Sequence, residues 1–134
     1  MRIRTYPVIF SLLLLAMTPG LHAEELVRQF SGSRSTNTVE FDVRAPWIID
    51  WRVSGELSRV VAVDVALFNA KTGQYEGIVL KTKTAGNGVK LFNTSGRYYF
   101  RVDASLMNWT LKVKELTAKE AEQYTPKTDH ILDR

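Results

Sequence analysis

The chain contains no cysteine. That absence rules out disulfides, thiolate chemistry, cysteine-built zinc sites and lipid attachment through a thiol. Histidine is almost missing as well: of two in the chain, His22 falls in the N-terminal leader described below and His130 lies close to the end. Zinc or copper sites built on histidine, and nucleophiles activated by a histidine base, therefore have too few residues to form. No GxSxG turn and no Asp-x-Asp-x-Asp calcium loop occurs, and no metal or other cofactor is expected.

Long apolar runs are scarce too. The one that exists, Val8 to Met17, follows Arg2 and Arg4 and precedes Pro19-Gly20 and the small residue Ala23. This is the layout of a secretory signal peptide over 1–23. The run is about half the roughly twenty residues that span a bilayer, so no stable membrane insertion is expected after cleavage. Both arginines leave with the leader, which lowers the formal charge of +4 by two. So small an excess gives no ground for nucleic-acid binding, and any electrostatic role must come from clustering. The mature product is expected in a bacterial periplasm or secreted. In a eukaryotic secretory route Asn93 and Asn108 would instead be glycosylation acceptors.

What is present is alternation. Val39, Phe41 and Val43, then Trp47, Ile49, Trp51 and Val53, recur at a period of two with charged residues between them. They predict two half-buried strands bent apart at Ala45-Pro46. Val61 to Leu67 continues the pattern, "NAKTG" supplies turn residues, and a strand over Tyr75–Lys83 carries lysines suited to a sheet edge. Asn87-Gly88 in "AGNGV" predicts a type I′ hairpin turn, with Val89–Phe92 pairing back. Gly96 to Leu116 reads as a ribbon of two strands joined across "ASLM", and Leu26–Phe30 as a first strand.

About eight short strands predict an all-β fold, an antiparallel β-sandwich or jelly roll, with a small barrel as the alternative. Thr117 and Glu120 form a capping-box pattern that predicts a short C-terminal helix. The expected division is a leader over 1–23, a sandwich over 24–116, and a helix with a loose tail over 117–134.

The ribbon's polar face supplies the candidate site. Arg97, Tyr99 and Arg101 share one strand, and Lys112 and Lys114 share the next. If the two strands pair, four cations and one ring form a single binding patch, unless Asp42, Asp50 or Asp64 neutralises it. Phe68, Phe92 and Tyr99 are out of phase with the core pattern and would mark a site if grouped. Trp47, Trp51 and Trp109 lie on the apolar parity and read as core rather than as a sugar-stacking platform. Asp42, Asp50, Asp64 and Asp103 face outward, and two of them at a suitable separation would allow glycosidase chemistry.

The segments "PWIIDWRVSG", "SGRYYFRV" and "NWTLKV" resemble those of small exported bacterial β-sandwich domains of uncharacterised function. They are more distantly similar to pre-peptidase C-terminal accessory domains. The resemblance implies a sandwich with an accessory role and transfers no functional residue; the acidic calcium cluster of some such domains is not seen. The expected function is thus non-catalytic binding, to an anionic envelope polysaccharide or a protein partner, through an outer sheet face. A small carboxylate-dependent hydrolase, and a structural subunit or inhibitor of a secreted enzyme, are the alternatives.

Overall fold

The alternating segments pair into two antiparallel sheets in the computed structural model, which describes residues 24–55 and 62–125. The predicted signal peptide and the tail beyond residue 125 lie outside the described residues. Nine strands occur among those described: β1 (Glu25–Gly32), β2 (Thr36–Asn37), β3 (Phe41–Val43), β4 (Trp47–Ser54), β5 (Ala62–Asn69), β6 (Tyr75–Thr82), β7 (Gly86–Phe92), β8 (Gly96–Ser105) and β9 (Asn108–Glu115). One sheet has four strands in the order β1-β9-β4-β7. The other has five, in the order β2-β8-β5-β6, with β3 following β2 along the edge of β8. The fold is an all-β sandwich.

Each sheet turns one parity inward. Phe41, Trp47, Ile49, Val65, Leu67, Phe100, Leu111 and Val113 are all buried in one core between the sheets. Removing such side chains from water is the main stabilising term available to a domain without disulfides. The indole N–H groups of two buried tryptophans still find partners: Trp47 donates to the Thr94 carbonyl at 3.0 Å and Trp109 to that of Arg34 at 3.2 Å. Trp109 is 3% exposed, a core residue as its phase with Leu111 and Val113 predicts.

Turn chemistry is confirmed at two places. Asn69 Oδ1 accepts from the backbone of Lys71 and Thr72, and Gly73 adopts φ 71°, so "NAKTG" closes the β5–β6 hairpin. Thr117 and Glu120 exchange both capping-box hydrogen bonds at the start of α1 (Ala118–Ala121). That helix is followed by a 3-10 turn over Glu122–Tyr124. Leu116 and Ala121 pack with Tyr124, Ile48 and Leu91 as a second, smaller apolar cluster. Ile48 and Leu91 belong to the outer parity, so the helix covers part of the outer face of the four-stranded sheet.

Two predicted hairpins do not form. β6 and β7 do not pair, because β7 joins β4 in the other sheet, with Gly88 opposite Trp51. Asn87 and Gly88 lie within β7, and neither has positive φ. Glycine is needed at 88 for space: a Cβ there would lie 2.6 Å from Trp51 Cζ2. Likewise β8 and β9 belong to different sheets. The chain crosses between them at Leu106, with φ 56°, and at Met107, which is fully buried in the main core.

Candidate functional site

The crossing at Leu106-Met107 splits the predicted basic ribbon. Arg97, Tyr99 and Arg101 lie on the outer face of the five-stranded sheet, whereas Lys112 and Lys114 lie on the outer face of the four-stranded sheet. The shared patch of four cations expected from β8–β9 pairing is therefore not formed, since the core separates its two halves.

Carboxylates also neutralise two of the four cations. Arg97 Nε donates to Glu40 Oε2 at 2.7 Å, and its Nη1 lies 3.6 Å from Asp42 Oδ2. The hydrogen bond that Arg97 donates to Glu40, then the charges of Asp42 and Glu40, raise the Arg97 pKa above its ordinary value. Lys114 Nζ sits between Asp50 Oδ2 at 3.2 Å and Glu24 Oε2 at 3.4 Å. Burial alone lowers the Lys114 pKa, but the hydrogen bonds and charges of Asp50 and Glu24 together outweigh it and leave a net rise. Tyr124 donates to Glu24 Oε1, and that hydrogen bond, followed by burial, pushes its pKa up to about 12. Lys114 is thus part of a structural lock that ties Glu24, just before β1, to Tyr124 in the 3-10 turn after α1.

Arg101 and Tyr99 belong to a different kind of cluster. Strand register sets side chains in rows across the outer face of the five-stranded sheet: Tyr99–Phe68–Tyr75, then Arg101–Ala66–Ile78, then Asp103–Asp64–Lys81. In the first row Phe68 stacks on Tyr99, with centroids 5.4 Å apart and planes at 11°, and meets Tyr75 edge-on at 5.7 Å. The Arg101 guanidinium lies 5.6 Å from the Phe68 centroid, within cation–π range. In the second row Ala66 leaves a gap between longer neighbours. The result is a groove of about 150 Å³ whose lining includes Tyr75, Ile78, Arg101, Asp64 and Asp103.

The out-of-phase aromatics thus divide. Phe68 and Tyr99 are grouped; Phe92 instead stacks on the buried Trp47 at 4.5 Å. Tyr75 and Ile78, at 53% and 45% exposure, complete the patch and were missed in the sequence. Register shifts between Val65 and Ala66 and between Leu67 and Phe68 break the alternation of β6, leaving Val79 and Leu80 both buried and Tyr75 and Ile78 outside.

The outward aspartates also sort by register. Asp64 and Asp103 lie directly opposite each other, which brings two carboxylates together beside the groove. Asp42 and Asp50 are taken up by Arg97 and Lys114. Among the described residues no group of three or more carboxylates or histidines is placed to hold a metal ion. The chain matches no protein-family model and no curated protein.

Proposed function

We propose that this chain is an exported, non-catalytic binding domain that engages a partner protein through the outer face of its five-stranded sheet. One observation carries the reading: Phe68, Tyr75 and Tyr99 are gathered on an outward face with Arg101 over the central ring. Tyrosine and arginine are the residue types enriched where protein interfaces concentrate their binding energy, and charged residues of both signs form the usual rim. Here Asp64, Asp103 and Lys81 supply that rim. The groove over Ala66 is well below the roughly 300–1,000 Å³ of a small-molecule pocket, a size that suits one inserted side chain. The N-terminal leader supports export and action in the periplasm or outside the cell.

A photo-crosslinking amino acid placed at Tyr75 or Ile78 tests the proposal. A discrete crosslinked protein is expected from these positions, abolished by Phe68→Ala together with Arg101→Ala. Absence of any adduct from either position, or an adduct indifferent to the double substitution, would refute it.

The hydrolase alternative has one observation in its favour, the facing carboxylates Asp64 and Asp103. A retaining glycosidase needs its two carboxyl groups about 5–5.5 Å apart, and side chains at directly opposed strand positions are near neighbours. The small groove does not enclose a substrate, so binding remains the better account. Glycan hydrolysis that disappears with Asp64→Asn would reverse that order.

A further inference from the structure

The C-terminal helix covers the outer face of the four-stranded sheet at Ile48 and Leu91. Beyond Ile48 and Leu91 two rows stay open: Gln29–Lys112–Asp50 and Ser31–Thr110–Arg52. Together Gln29, Asp50, Arg52, Thr110 and Lys112 line a concavity of about 260 Å³. Its lining carries two cations, Arg52 and Lys112, against one carboxylate, Asp50. Among the described residues neither Arg52 nor Lys112 comes within 4.0 Å of a carboxylate. Asp50, the register neighbour of Lys112, is instead engaged by Lys114 at 3.2 Å. Two cations diagonal to each other on one sheet face repel mildly, and an anion seated between them would relieve that repulsion.

We propose that this concavity binds an acidic sugar unit, a hexuronate of an anionic polysaccharide. The planar Arg52 guanidinium matches a carboxylate through two parallel hydrogen bonds, and Lys112 adds a point charge beside it. The remaining lining decides between a bare oxyanion and a hydroxylated one. Asp50 places a carboxylate in the same lining, which disfavours a bare oxyanion but accepts hydrogen bonds from ring hydroxyls, so a hexuronate fits with its carboxylate toward Arg52 and its hydroxyls toward Asp50. Gln29 and Thr110 both donate and accept, as a polyol requires. At about 260 Å³ the concavity is smaller than an enclosed small-molecule pocket, so it suits one sugar unit of a chain lying along the surface rather than an enclosed free ligand.

This site lies across the core from the aromatic patch, so the two readings fail independently. The test is a titration of the isotope-labelled, leader-free protein, followed by amide chemical shifts, with glucuronate, glucose and inorganic phosphate as separate probes. Glucuronate is expected to shift amides in β4 and β9 around Arg52 and Lys112, and glucose is not. Arg52→Gln and Lys112→Gln should each weaken glucuronate about tenfold or more, as expected for loss of a hydrogen bond to a charged group. Lys112→Arg should retain binding, and Phe68→Ala should leave it unchanged. Raising the salt concentration should weaken it. Phosphate binding as tightly as glucuronate would show an adventitious ion only and overturn the proposal. So would equal binding of glucose, or full affinity in the Arg52→Gln/Lys112→Gln double variant.

Discussion

Gly88→Ala isolates the reason this fold needs a glycine in an edge strand. The added methyl would sit 2.6 Å from Trp51 Cζ2 and 2.7 Å from Cε2, about an ångström inside the 3.5–4.0 Å at which carbon atoms attract best. Trp51 packs against the main core, so the ring cannot withdraw without disturbing it, and overpacking of this kind costs about 1–3 kcal/mol. The lower conformational entropy of alanine in the unfolded chain offsets about 0.4–1 kcal/mol. The net loss should be on the order of 1–2 kcal/mol. Gly86→Ala, in the same strand, meets nothing within 4 Å and should be neutral or stabilising by about 0.4–1 kcal/mol. Urea unfolding reads both as midpoint shifts at constant slope. In a Trp51→Ala background the penalty at 88 should vanish, because the two residues are coupled by contact. Equal effects of alanine at 86 and 88, or a penalty at 88 that survives Trp51→Ala, would refute the packing argument.

Trp109→Ala should cost about 3–5 kcal/mol in the same unfolding assay, as loss of a large buried aromatic side chain does. A chain ended after Leu116 should still unfold cooperatively, because the helix joins a cluster separate from the main core. It should also be less stable and bind more of a hydrophobic dye at the uncovered Ile48 and Leu91. Tyr124 has a folded pKa of about 12 against an ordinary value of 10.0. A raised folded value contributes stability that is complete below about pH 10 and is lost as pH climbs through about 12. Phenolate absorbance should show a late-titrating tyrosine that Tyr124→Phe removes, and the variant should lose less stability over that window than the parent protein.

Alternation made the strands legible and left their partners hidden. The period-two pattern assigns a side chain to a face, so Trp47, Trp109 and Leu111 read correctly as core. Nothing in that pattern distinguishes a hairpin from a crossing between sheets. At "ASLM" the buried Met107 marks the crossing, a signal visible in the sequence only as an apolar residue in an otherwise loop-like stretch. The unbroken run Trp47-Ile48-Ile49 was a second signal. Three consecutive apolar residues do not alternate, and Ile48 is buried from the opposite side by the C-terminal helix.

The same limit governed the site. Arg97, Tyr99 and Arg101 were placed together correctly because they share one strand, and strand geometry alone fixes that. Their separation from Lys112 and Lys114 depends on topology. Phe68 and Tyr99 were recognisable as out of phase, whereas Tyr75 and Ile78 reach the patch only through the bulges of the β5–β6 pairing. Neutralisation followed the same logic: Asp42 faces Arg97 across paired strands, while Glu40 and Glu24 act from positions outside the strands.

The central claim is that the outer face of the five-stranded sheet is the working surface. The most direct test compares crosslinker incorporation at Tyr75 with incorporation at Ser31, on the opposite outer face, in cells that export the protein. The account predicts one discrete protein adduct from position 75, none from position 31, and loss of the adduct when Phe68 and Arg101 are both replaced by alanine. Adducts of the same pattern from both faces, or from position 31 alone, would contradict it.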